Sequence, residues 1–277
     1  MNTLQQLLKN KKFIASIVVL VPLLLVTLLV PVLVRHDPLE INTQNILALS
    51  SQEYLLGTDE YGRCIACRMI AGLRPTMIVA FGGATLALVL GSILGLTAGY
   101  YGGKAGAFIM RAADVILCFP PILLAMLVVG FWGGGVANLV VVVGILYTPH
   151  FCRIANASTL KLRKQEYVES ERLLGAGIAR LMWKALLPNI LSALIIQYSI
   201  TVSSGILLES GLSFLGLGVK PPEPSWGQMI GKAKGYIATN PLYMFWPAAC
   251  LSLTILATNL MGDALRDVLD PKLKERY

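Results

Sequence analysis

Few side chains in this sequence have the chemistry to make or break bonds, and their spacing brings almost none of them together. Cys64 and Cys67 form a C-x-x-C pair, a spacing that suits a redox couple, half of a metal site, or two small apolar residues packed in a turn. A metal site needs more ligands, and the chain holds two histidines, His36 and His150, at opposite ends of apolar segments. Cys118, Cys152 and Cys250 fall in or at the ends of apolar runs, where cysteine behaves as a small hydrophobe. Asp114 and Glu209 are the acidic residues inside such runs, each near an end and on opposite faces, so they cannot serve as a paired acid and base. Gly103-Lys104-Ala105 and Gly231-Lys232-Ala233 lack the upstream glycine and the hydroxyl of a phosphate-cradling loop. Neither a G-x-S-x-G elbow nor an H-E-x-x-H helix occurs. The chain is therefore expected not to be an enzyme, with no catalytic residue, no metal and no cofactor of its own.

Two polar or small-residue patterns are regular. Gln197, Thr201 and Ser204 follow i, i+4, i+7 and share one helix face, with Ser199 and Ser203 beside it. Such a face either lines a translocation path or hydrogen-bonds to neighbouring helices, the usual role of these residues in membrane bundles. Gly91, Gly95, Gly99 and Gly103 recur every four residues and cut a groove in which another helix can approach closely.

The elements that must position these residues follow from composition. Apolar residues make up 56% of the chain and charged ones 14%, against roughly 25% charged in an ordinary soluble domain. That balance excludes a disordered chain and a nucleic-acid-binding module, and places most of the chain in lipid. Spans of about 20 apolar residues are needed to cross a bilayer. Six segments meet or approach that length: Phe13–Val34, Thr76–Gly99, Ala112–Phe131, Val136–Cys152, Ile190–Glu209 and Tyr243–Gly262. The first is too long for a signal-peptide core and lacks a small-residue cleavage pattern, so it is read as a retained helix. With the N-terminus inside, cytoplasmic segments hold 16 of the 23 Lys and Arg and external segments seven, the asymmetry expected of that orientation. The expected fold is an all-α polytopic membrane protein with six transmembrane helices and both termini cytoplasmic.

The longest cytoplasmic connection, 153–189, is polar yet helically patterned. Tyr167, Val168, Leu173 and Leu174 precede Gly175, and Ile178, Leu181, Met182 and Leu186 follow it. Gly175-Ala176-Gly177 reads as a turn between two short helices. A loop this short cannot bury its own apolar residues, so either the bundle or a cytoplasmic partner must cover them.

Within that loop, Glu166-Tyr-Val-Glu-Ser-Glu-Arg-Leu-Leu-Gly175, followed by Leu186-Leu-Pro-Asn189, resembles the EAA loop of ABC importer permeases. Three further runs narrow the resemblance to the C-type permease of the dipeptide/oligopeptide/nickel family. They are Leu56-Gly-Thr-Asp-Glu-Tyr-Gly-Arg63, Glu209-Ser-Gly-Leu-Ser-Phe-Leu-Gly-Leu-Gly-Val-Lys-Pro-Pro-Glu-Pro-Ser-Trp-Gly227, and Asn259-Leu-Met-Gly-Asp-Ala-Leu-Arg-Asp-Val-Leu-Asp-Pro271. The likeness runs from about residue 55 to the end, with the motifs in the family's order.

The resemblance implies a type I ABC importer-like bundle: residues 1–75 as an anchor helix and external loop, and 76–277 as the permease core. It implies Glu169, Gly175 and Pro188 as the ATPase-coupling positions, and Gln197, Thr201 and Ser204 stay as the path candidates read from the helix face. Implied partners are a second homologous permease, two ATPase subunits (or a heterodimer) that bind ATP and Mg, an external solute-binding protein and membrane lipid. Peptides and nickel or other metal chelates both fit as cargo, and a bacterial or archaeal cell membrane as the location. Three positions depart from the family: Glu171 replaces a small residue in the loop, Ala185 stands where a larger aliphatic is common, and Cys64 stands where Asp usually follows Gly-Arg. The competing readings are an ATP-independent transporter or channel, and a membrane receptor that recruits a cytoplasmic protein.

Overall fold

In lipid a backbone must satisfy its own amides, and long apolar runs do so as helices. The computed structural model, which describes residues 3–33 and 36–269, is built from helices, with one isolated β-bridge, Thr58–Cys64, among the described residues. The helices are α1 (Thr3–Lys9), α2 (Lys11–Leu33), α3 (Ile65–Tyr101), α4 (Gly103–Leu117), α5 (Pro121–Trp132), α6 (Val136–Leu162) and α7 (Glu166–Leu173). α8 (Ile178–Arg180) continues through a π-helical turn, Leu181–Leu186, into α9 (Leu187–Phe214). α10 (Trp226–Ala233) and α11 (Pro241–Leu269) complete the chain.

Among the described residues, four helices are long and apolar enough to cross a membrane: α3, α6, the continuous run Ile178–Phe214, and α11. A fifth span exists if α4 and α5 count as one, although they bend by 91° at their junction. The expected single helix Ala112–Phe131 is thus broken. Pro120 and Pro121 are the physical reason: proline offers no amide, and its ring drives the preceding residue, here Phe119, out of the helical region. Pro121 then restarts the chain as the first residue of α5. The expected first span falls on α2, which is not among those four helices, and its last residue, Val34, lies outside the described residues, as do Asp270 and Pro271 of the last motif.

The centre of the bundle is the α3–α6 pair. Side by side and parallel, they meet through the glycine stripe. A Cβ on Gly91 would lie 2.5 Å from the Cβ of Phe151, and one on Gly99 2.6 Å from that of Thr159, while Gly95 faces the Cys152 carbonyl. The groove expected from the four-residue spacing is therefore filled within this chain, by α6. α9 runs antiparallel to α3, with Thr76 beside Glu209 and the Tyr198 hydroxyl 3.1 Å from Thr85 Oγ1. α11 lies against α9, where Gly262 admits the Ser199 side chain, and against α2, where Lys12 pairs with Asp267 at 2.9 Å. These contacts give the bundle two distinct ends. One carries the start of α2, the end of α11 and the α7–α8 segment. The other carries residues 36–64 and the connection from α9 to α11, which together form a cap.

Candidate coupling segment, helix face and cap

α7 starts with Glu166 and Glu169 in its first turn, where carboxylates complement the exposed amides of a helix N-terminus. It stops at Gly175, whose φ of +83° is the left-handed conformation that glycine adopts without strain. The Gly175 amide donates to the Arg172 carbonyl and the Ala176 amide to the Glu171 carbonyl, both at 3.0 Å, closing the helix with a double bond pattern. α8 then turns back toward the bundle.

The apolar residues of this segment divide into two sets. Val168, Leu181, Ala185 and Leu186 are buried in one cluster with Leu96, Phe151 and Ile190 of the bundle. Leu173 and Leu174 point the other way and are 83% and 87% exposed. The bundle thus covers one face of the loop and leaves the other open. The Asn189 amide donates to the Tyr167 hydroxyl at 3.2 Å, tying α7 to the start of α9. Arg163 donates to the Gly99 and Tyr100 carbonyls at 2.9 and 3.1 Å, tying the end of α6 to the end of α3.

The three positions named from sequence for coupling lie in this one segment. Glu169 is exposed and borders a crevice of about 620 Å³ with Arg163, Lys164, Arg172 and the two tyrosines Tyr100 and Tyr101. Gly175 has open space around it, with nothing within 4 Å of where a Cβ would stand. Pro188 sits exposed at the start of α9, just past the π-helical turn of the continuous run Ile178–Phe214, where its missing amide loosens the ladder without ending the helix.

On α9, Gln197 donates to Thr201 Oγ1 at 3.2 Å and Thr201 is fully buried. Ser204 contributes its carbonyl to the Tyr147 hydroxyl at 3.4 Å. Gln197 and Ser204 are half-buried, so this face is joined to its neighbours while its two outer members keep partial access.

The cap is organised by three carboxylates, Glu209, Asp59 and Glu60, whose roles were not read from sequence. Glu209, buried, accepts from Ser213 at 2.6 Å, Thr76 at 2.9 Å and Ser210 at 3.3 Å. Ser213 in turn accepts the Val219 amide at 3.1 Å, so one carboxylate links α3, the end of α9 and the connection beyond it. Trp226 closes the same connection by donating to the Met69 carbonyl at 2.9 Å.

Asp59, also buried, receives Arg63 Nε at 2.7 Å and Arg68 Nε at 3.3 Å, plus the amides of Tyr61 and Arg63. Glu60 accepts the Tyr243 hydroxyl at 2.6 Å and lies 3.4 Å from Lys232, joining the loop to α10 and α11. Burial pushes the Glu60 pKa up, but the Tyr243 hydrogen bond, its own backbone amide and the two cations outweigh it and hold the carboxyl below its ordinary value. The Asp59–Arg63 spacing of four residues was the available signal for this clamp.

Cys64 precedes α3, and its sulfur accepts the Cys67 amide at 3.3 Å, the position of an N-cap. The Cys67 side chain and burial push the Cys64 thiol well above its usual range, so it stays protonated. Cys64 thus caps the helix.

A family model described as the binding-protein-dependent transport system inner membrane component matches residues 91–275. The chain belongs to that family. The match takes in the last turns of α3, the coupling segment, the α9 face and the α9–α11 part of the cap, and it makes the chain a multi-pass permease component of the inner membrane. Relatives agree over nearly the whole length. The di/tripeptide transport system permease protein DppC of Pseudomonas aeruginosa is 37% identical over 98% of this permease and 91% of its own chain. The glutathione transport system permease protein GsiD of Pectobacterium atrosepticum is 41% identical over 81% of this permease and 74% of its own. Among solved structures, an inward-facing form of the MetNI methionine ABC transporter superposes with a TM-score of 0.61 at 20% identity. It covers 74% of this permease and 97% of that chain. That likeness establishes the ABC importer permease fold.

Proposed function

We propose that this permease carries short peptides inward as one half of a transmembrane pore driven by ATP. The observation that carries the reading is the two-faced α7–α8 segment. Val168, Leu181 and Leu186 anchor it to the helices that would move, while Leu173, Leu174 and Glu169 face outward. A partner ATPase receiving the outer face would pass its closure to α6 and α9 as a rigid push, because the inner face is packed against both. Gly175 supplies the turn between the two arms, and Pro188 the stiff entry into α9.

In the full assembly this chain pairs with a second homologous permease, two ATPase subunits that bind ATP and Mg, and an external solute-binding protein. α2, α3, the bent α4–α5 pair, α6, α9 and α11 make six crossings. The Lys12–Asp267 contact keeps the two ends of the described chain together, and the 16-to-seven division of Lys and Arg favours the cytoplasm for that end. Gln197, Thr201 and Ser204 form the α9 wall of the path, which opens to alternate sides as the two permeases rock. Relatives named for di- and tripeptides and for glutathione favour peptides over nickel or other metal chelates as cargo.

The test is ATP hydrolysis by the copurified complex reconstituted in lipid, with its binding protein and a panel of peptides and nickel chelates. Peptide-loaded binding protein should stimulate the wild type. Glu169→Ala and Gly175→Pro should cut that stimulation about tenfold with the subunits still assembled, the effect of losing one interface contact near 1.4 kcal/mol. Proline cannot adopt the positive φ of Gly175. Normal stimulation in both variants would overturn the lever. Stimulation by chelates alone would move the cargo to metals, and a chain that copurifies with no ATPase would favour a channel or receptor.

A further inference from the structure

At the cap end, a crevice of about 640 Å³ opens between α3, the start of α6 and two stretches of the cap. Its walls are mostly apolar, formed by Pro38 and Leu39 on one side and by Ile78 and Val136 on another. Two charges of opposite sign line it as well: Arg74 from α3, and Glu223 from the Pro-rich connection. Both are exposed, and neither forms a hydrogen bond or ion pair with any described residue. They are not close enough to pair with each other, although they border the same space.

Exposed charges gain at most about 1 kcal/mol by pairing, so an arginine and a glutamate bordering one cleft stay available to a ligand. The frame of the crevice is fixed by packing. α3 and the connection are held together beneath the crevice, where a Cβ on Gly72 would lie 3.2 Å from the Ser225 backbone. Pro222 and Pro224 flank Glu223 and restrict its backbone. On α3, beside Arg74, Pro75 offers no amide to the Ala71 carbonyl one turn earlier, and Ala71 lines the crevice too. The α3 part of the lining thus carries a cation, and the Pro-rich connection carries a carboxylate.

We infer that this crevice is a binding site for a zwitterionic short peptide, with Arg74 taking the terminal carboxylate and Glu223 the terminal ammonium. Dimensions agree: a sphere of the crevice's volume would be about 11 Å across, and an extended di- or tripeptide spans roughly 7–11 Å. The volume lies in the range of small-ligand sites, and apolar walls with a few placed charges are their usual chemistry. Neutral side chains of varied shape would be tolerated by the walls, while the two ends fix the register. The site deepens the peptide-import reading and rests on it for its role as an entry station.

Two readouts separate the site from that reading. The first is equilibrium binding of radiolabelled dialanine to the assembled complex in lipid nanodiscs, without the binding protein, competed by N-acetyl-dialanine and by dialanine amide. Wild type should prefer the free zwitterion over either blocked form by about tenfold, the worth of one charge-assisted hydrogen bond. Arg74→Gln should abolish the preference for free acid over amide alone, and Glu223→Gln the preference for free amine over acetylated amine alone. This cross-pattern is one that a merely structural role would not produce. Equal binding of all three peptides to wild type, no binding to wild type, or unchanged preferences in both variants would overturn the site. The second readout is hydrolysis stimulated by peptide-loaded binding protein. If stimulation is present while the crevice shows no preference, this inference alone falls; if stimulation is absent, the import reading falls whatever the crevice binds.

Discussion

Glu60 shows how a single side chain fastens the cap. It is half-enclosed, which by itself raises a carboxyl pKa, yet the hydroxyl of Tyr243 and the charges of Lys232 and Arg63 reverse that. A carboxyl whose pKa is lower in the folded state than its ordinary value of 4.5 stabilises the fold above that value. The contribution is lost as pH falls through the folded pKa. Hydrogen exchange in residues 36–64, corrected for intrinsic rates, should therefore be slow at about pH 6 and faster at about pH 4. Glu60→Gln should flatten the difference, and equal pH dependence in wild type and variant would show that the Glu60 contacts do not fasten the cap. Much of this residue-level detail was hidden in the sequence. Glu209 could be seen as an isolated acid in an apolar run, but its partners Thr76 and Ser213 lie on different elements or one turn on, and spacing is silent about partners across helices. The Cys64–Cys67 pair was legible as a pair and ambiguous as chemistry, because an N-cap and a redox couple share the same spacing.

At the scale of elements, the α3–α6 contact makes the strongest demand on side-chain size. A methyl on Gly95 would run into the Cys152 carbonyl and stand 2.6 Å from the Ala155 Cβ, atoms that belong to backbone or to a side chain with no room to swing. Overpacking of this kind costs about 1–3 kcal/mol. Gly95→Ala should lower the thermal midpoint of the detergent-solubilised complex by several degrees, whereas Gly103→Ala, with nothing near its Cβ position, should lower it less and only through its positive φ of 53°. Equal shifts would mean that the helices separate there at little cost. The four-residue glycine rhythm made the groove readable in advance, because small residues at that spacing have one consequence in a helix. It did not say which helix fills the groove, since α6 is equally apolar on several sides. The break at Pro120-Pro121 was missed for a related reason. Hydropathy counts apolar residues and is blind to missing amides, so a run that is continuous in composition was read as continuous in shape.

For the whole molecule, the question is whether motion generated at one end reaches the helices proposed to line the path. α7 and α8 are too small to hold their own shape, and their order comes from the bundle through Val168, Leu181 and Leu186. Their outer face, Leu173 and Leu174, makes no such contribution. Mutations on the two faces should therefore separate folding from coupling. Leu173→Asp combined with Leu174→Asp should leave expression and thermal stability near wild type, since both side chains are in water already, while the ATPase subunits no longer copurify. Apolar anchors at protein interfaces are worth about 2 kcal/mol or more each, enough to lower retention on a pull-down by well over tenfold for the pair. Val168→Asp should do the reverse at first, by burying a charge against Leu181 and Leu186, so the chain itself is lost from the membrane before any partner is tested. If the outer pair tolerates aspartate with full ATPase retention, the docking face lies elsewhere, and the charged crevice around Glu169, Lys164 and Arg172 becomes the surface to mutate next.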